Sequence, residues 1–189
     1  MMNLLTDRES LRFRVAITAF ALAVVAASGA AFAQGAAVRV ASAPTLESPI
    51  YVAAPAGDAR LFIVERAGTI KVLQNGSVLA GNFLDISDRV VAPFESEAGL
   101  LSMAFATDYP TSGVFYVFYM GDIQAGPGVT LESRVARFTV SGAPATSNDA
   151  DETSEAILFR LEQFAGNHKG GTIAIRGGFL YLGLGDGGC

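Results

Sequence analysis

A short signature recurs three times along the chain and constrains its fold more than any other feature. Leu61-Phe62-Ile63-Val64, Phe115-Tyr116-Val117-Phe118 and Leu180-Tyr181-Leu182-Gly183 each follow a small, turn-forming or charged residue, and aligning Phe62, Tyr116 and Tyr181 puts them 54 and 65 residues apart. Each interval holds about four short apolar or alternating runs separated by Gly-containing turns. A repeat of that size, built of aromatic-rich strands, is what a β-propeller blade requires. A β-sandwich would also contain many short strands, but gives no reason to repeat this signature. The expected fold is therefore all-β, a partial β-propeller of antiparallel four-stranded blades with two to three blades present.

The individual strands are expected at 61–64, 69–73, 77–79, 99–106, 114–120, 129–140, 156–163, 171–175 and 179–184. Asn75-Gly76 lies between two such runs and predicts a hairpin, because a type I′ turn needs positive φ at both central positions. That turn also explains Asn75-Gly76-Ser77 without invoking its match to a glycosylation sequon. The segment Pro144–Thr153 is polar and acidic, and reads as a solvated loop. Its Asp149, Asp151 and Glu152 have only a faint calcium-loop spacing, without the central Gly and the terminal Glu of that motif.

The hydrophobic share of 51% is inflated by the N-terminus. Arg8, Arg12 and Arg14 precede an apolar core from Val15 to Ala27, and Ala31-Phe32-Ala33 ends in the small-x-small pattern read by signal peptidase. Cleavage is expected after Ala33, making residues 1–33 an export signal and the mature protein periplasmic or secreted, with no membrane span after cleavage. Residues 34–47 form an Ala/Ser/Pro-rich lead-in that precedes the propeller segment at 48–189. A ring of blades needs at least four, so this segment is expected to be the N-terminal part of a larger domain, truncated at the C-terminus.

The formal net charge of −5, with 13 Lys plus Arg and no basic cluster, argues against a nucleic-acid partner. One His and one Cys exclude a multi-thiolate cluster and leave a tetrahedral zinc site without ligands, whereas a hard cation held by oxygen remains open. The one His stands in Asn167-His168-Lys169-Gly170-Gly171, at the mouth of a strand. A neutral imidazole there is able to take a proton from a bound alcohol. Asp186 ends the next strand. If the two strands form a hairpin through Gly177-Gly178, both ends open on the same side and the carboxylate reaches the ring. Gly183, Gly185 and Gly188 formally match G-x-G-x-x-G, but a dinucleotide site needs a helix after them, and the surroundings are antiparallel β.

Taken together, Ala59–Ile70, Phe83–Ser87, Ser96–Phe105, Asp108-Tyr109, Asn167–Gly171 and Gly183–Gly188 resemble the soluble glucose/sorbosone dehydrogenases, the aldose sugar dehydrogenases that use pyrroloquinoline quinone. The resemblance runs from about Ser48 to the last residue. It implies that the partial propeller is part of a six-bladed one, and that the protein is an oxidoreductase with pyrroloquinoline quinone and Ca2+ as cofactors, an aldose as substrate and a separate electron acceptor as partner. It further implies that His168 is the general base toward the anomeric hydroxyl and borders the quinone. Asp186 is its supporting carboxylate, and Glu97 lines the same pocket as a cofactor-binding residue. The chain departs from the family pattern at Lys169, where Asn is usual, and at Ala106-Thr107, where His-Pro is usual. The calcium ligands and the remaining quinone contacts are not assigned to any residue. A non-catalytic carbohydrate- or protein-binding propeller, and more distantly an adhesion sandwich, are the alternative readings.

Overall fold

A computed structural model describes residues 46–91, 97–125 and 129–188, which belong to one compact unit. The expected export signal and cleavage position at Ala33 lie outside the described residues. Eleven strands and one helical turn are present among them: β1 (Pro49–Ala53), β2 (Leu61–Glu65), β3 (Thr69–Gln74), β4 (Ser77–Val78), β5 (Leu84–Asp85), β6 (Leu100–Phe105), α1 (Tyr109–Ser112), β7 (Val114–Ala125), β8 (Val129–Val140), β9 (Ala150–Gln163), β10 (Gly170–Arg176) and β11 (Phe179–Leu184).

The strands form three antiparallel sheets. The first runs β1-β2-β3-β4 with β5 on the far half of β3, the second runs β6-β7-β8-β9, and the third is the hairpin β10-β11. The recurring aromatic signature falls on β2, β7 and β11, which are the second strands of their sheets. The repeat is thus a repeat of blades.

Local chemistry explains the turns. Asn75 and Gly76 have φ of 52° and 77°, closing the β3-β4 hairpin as a primed turn, and Gly177 and Gly178 do the same between β10 and β11 at 58° and 80°. Alternation does the rest. In β2 and β3, Phe62, Val64, Ile70 and Val72 point inward at 1% exposure or less, and their sheet packs on the second through an aromatic layer. Phe62 meets Phe83 and Phe105 edge-on with centroids 4.7 and 4.9 Å apart, and Phe115 stacks on Phe138 at 5.8 Å. Such pairs add about 0.5–1.5 kcal/mol each beyond the area they bury.

A smaller cluster, Leu101, Phe118, Met120, Val135 and Ile173, joins the second sheet to the β10-β11 hairpin. Gly171 permits the close approach, since a Cβ there would stand 2.7 Å from Leu101 Cδ1 and 2.8 Å from Phe118 Cε1. The Ser102 hydroxyl sits in the same seam, donating to the Gly171 carbonyl and accepting the Ile173 N–H at 3.2 Å.

One expected loop is half strand. β9 begins at Ala150, because Ala150 pairs with Val140 and donates its N–H to the Phe83 carbonyl at 2.7 Å. Asp151 accepts from the N–H and the hydroxyl of Thr153 at 2.9 and 2.6 Å, and Glu152 accepts the Asp85 N–H at 3.1 Å. These carboxylates are spent on the chain itself. The Asp108-Tyr109 pair starts α1, where Tyr109 is buried against Phe105 with centroids 4.5 Å apart. That places it at the opposite end of β6 from Glu97.

Candidate active site at the start of β10

His168 occupies the residue pair before β10 and Asp186 the pair after β11. Because the hairpin pairs Gly170 with Leu184, both side chains emerge at the same open end. The His168 Nδ1 lies 2.9 Å from Asp186 Oδ1. The same carboxylate oxygen accepts the Gly188 N–H at 3.0 Å. That backbone donor, and after it the imidazole, hold the Asp186 carboxyl below the usual carboxylate range. Asp186 is therefore ionised near neutral pH and can only accept. Since an ionised carboxylate only accepts, Nδ1 is the protonated nitrogen of this contact, and in the neutral ring Nε2 then carries the lone pair. The two side chains are 55% and 66% exposed, so this lone pair is within reach of a ligand.

The backbone of His168 is held as tightly as its ring. It adopts φ of 56°, a left-handed conformation that costs a non-glycine residue about 1 kcal/mol or more. Its N–H donates to Glu97 Oε2 at 2.6 Å, and its carbonyl accepts the Gly187 N–H at 3.2 Å. Glu97 in turn donates its own N–H to the Gly166 carbonyl at 2.9 Å. One carboxylate residue thus pins the loop from the start of β6.

The glycines of this region serve loop-to-loop packing. A Cβ on Gly185 would fall 1.9 Å from the His168 carbonyl oxygen, and one on Gly188 would fall 2.2 Å from Asn167 Oδ1. The G-x-G-x-x-G spacing here is a way for two loops to touch.

Two participants were not legible as such in the sequence. Lys169 is 1% exposed, and its ammonium donates to Gln163 Oε1 at 3.1 Å and to the Gly187 carbonyl at 3.4 Å. Burial lowers its pKa from the usual lysine value, against the opposing charge of Glu97. Gln163, the last residue of β9, donates from Nε2 to the Ser133 hydroxyl at 3.0 Å. Nothing in the local sequence marks Gln163, because its side chain meets that of Lys169, six residues on, only through the way the connection from β9 to β10 folds back.

The residues present suit a quinone substrate pair on one count. An exposed imidazole with a bare Nε2, backed by an ionised carboxylate, is what the proton-accepting edge of such a site needs. For a metal the described residues are less provided. Among them no three His, Cys, Asp or Glu side chains converge on one point. No helix among them is long and apolar enough to cross a membrane.

Antiparallel sheets packed side by side, with a His–Asp pair at one open end, define part of a β-propeller. The chain belongs to the glucose/sorbosone dehydrogenase family, whose model matches residues 46–189. Its fold is similar to that of the PQQ-bound aldose sugar dehydrogenase of Streptomyces coelicolor, with a TM-score of 0.61 at 21% identity over 82% of this chain and 42% of that one. It is also similar to the apo-form soluble aldose sugar dehydrogenase of Escherichia coli, with a TM-score of 0.58 at 23% identity over 75% of this chain and 39% of the other. Human Hedgehog-interacting protein is 33% identical over 138 residues, covering 69% of this chain and 19% of its own. The chain thus spans about two-fifths of these solved structures and about a fifth of that relative.

Proposed function

We propose that residues 48–189 form the proton-accepting part of an exported quinoprotein dehydrogenase that oxidises the anomeric hydroxyl of aldose sugars. The observation that carries this reading is the 2.9 Å contact between His168 Nδ1 and Asp186, which frees Nε2 on an exposed ring. Export rests on the pattern of residues 1–33, and the sugar and quinone on family membership.

In this reading pyrroloquinoline quinone, if bound, would supply two-electron acceptor chemistry for the hydride lost by the sugar, with a separate carrier as the eventual electron acceptor. His168 Nε2 accepts the proton of the anomeric hydroxyl. Asp186 stabilises the imidazolium that results and keeps the ring in the competent tautomer. Glu97 acts from behind: its hold on the His168 N–H sets the ring against the ligand. Ca2+ belongs to the reading through the family alone, and no step is assigned to it.

The test is dye reduction by the full-length protein supplied with the quinone and Ca2+, across a panel of aldoses. His168→Ala is expected to lower kcat by about 10²–10⁴-fold with an unchanged melting temperature. Undiminished turnover in that variant overturns the base assignment. Inactive wild type overturns the dehydrogenase reading.

A second reading is favoured by the 33% identity to a relative named for binding a protein, Hedgehog. In it the propeller is a carbohydrate- or protein-binding module, and the His168–Asp186 pair is structural or a ligand contact. Calorimetric binding of a sugar without oxidation would establish it.

A further inference from the structure

The turn that carries Asp186 is built from the most permissive residues available, Gly185, Gly187 and Gly188, the last two at φ of 85° and 78°. Left to itself such a turn would sample many conformations, and the carboxylate would leave the imidazole for much of the time. Lys169 is placed to prevent this. Gly187 is engaged through both of its backbone polar groups: the N–H donates to the His168 carbonyl at 3.2 Å, and the carbonyl accepts from the Lys169 ammonium at 3.4 Å. The other end of the tie is firm, because Gln163 closes β9 and is itself bonded to Ser133 within the second sheet.

We propose that Lys169 is a positioning residue that fastens the Asp186 turn to the end of β9 and so maintains the Nδ1–H tautomer of His168. A purely structural role makes a different forecast. An ammonium buried to 1% exposure against neutral acceptors is costly to desolvate, so replacing it by an apolar side chain of similar length would leave the fold as stable or more so and the imidazole untouched. The consequence for turnover rests on the proposed function; the positioning itself does not.

The deciding measurement is histidine 15N NMR of the full-length protein without added cofactor, with His168 assigned by difference from His168→Gln. Wild type is expected to show a protonated Nδ1 and a bare Nε2. Lys169→Met is expected to move a substantial share of His168 to the Nε2–H tautomer while the melting temperature holds or rises. Gln163→Leu cuts the same tie at its β9 end and is expected to shift the tautomer in the same direction, which covers the case in which Lys169→Met does not fold. In dye reduction, Lys169→Met is expected to lower kcat roughly 10-fold with KM unchanged, the size typical of a group that orients a functional histidine. A folded variant with the wild-type tautomer pattern, or a wild type lacking the Nδ1–H form, overturns the proposal. If the wild type oxidises no aldose, the dehydrogenase reading falls, and the tautomer result alone still decides the role of Lys169.

Discussion

The seam between the first two sheets and the open end of the β10-β11 hairpin are built on opposite principles. The seam is dry and aromatic, with Phe62, Phe83, Phe115 and Phe138 at 1% exposure or less, and its order comes from shape. The hairpin end is wet, and its order comes from directed hydrogen bonds to Glu97, Asp186 and Lys169 laid over a backbone of glycines. Packed apolar surface tolerates water poorly but needs no angular precision. A proton-accepting ring needs both water-facing access and a defined direction, which packing alone does not supply.

Phe62→Ala strikes the seam at its centre and is expected to cost about 3–5 kcal/mol of unfolding free energy, as truncation of a buried aromatic does. Denaturant unfolding would measure it, and a loss under 1 kcal/mol would mean that the aromatic layer collapses freely into the space. The reciprocal change at the hairpin is Gly185→Ala. Its methyl has no room beside the His168 carbonyl, so the loops must part. About 1–3 kcal/mol of stability is expected to go with them, together with most of any activity that depends on His168. If Gly185→Ala keeps the wild-type His168 tautomer, the close contact of the loops is not what directs the ring.

Alkaline pH separates the regions again, through two tyrosines of the packed body. Burial pushes Tyr109 and Tyr119 up to about 12 from the usual 10.0. Their contribution to stability is complete below pH 10, where both states hold the phenol proton. Above that the unfolded chain releases protons that the folded one retains, so stability falls between pH 10 and 12, by on the order of 2 kcal/mol for each group. Tyr119→Phe is expected to make the decline in unfolding midpoint between pH 9 and 11.5 shallower. An unchanged slope would assign the decline elsewhere.

How far the chain could be read in advance differs between the same two regions. Blades were legible because Phe62, Tyr116 and Tyr181 recur on equivalent strands, and the hairpins because Asn75-Gly76 and Gly177-Gly178 accept positive φ at little cost. The first residues of β9 were not: Ala150–Thr153 looks like a polar loop, and only pairing with Val140 and Thr139 makes it strand. At the hairpin end, the proximity of His168 to Asp186 followed from antiparallel pairing. Lys169 read as an ordinary charged neighbour.

What the amino-acid order determined by itself was therefore periodic or local: strand alternation, turn chemistry, and the placing of one His and one Asp at the two ends of a single hairpin. Tertiary structure alone decided that Lys169 is buried and bound to Gln163, that Glu97 holds the His168 N–H from the loop before β6, and that Gly185 must be bare. Only the Glu97 contact joins distant stretches of chain; the other two lie within the turns around one hairpin, but all three depend on how those loops fold onto one another, which no spacing along the sequence encodes.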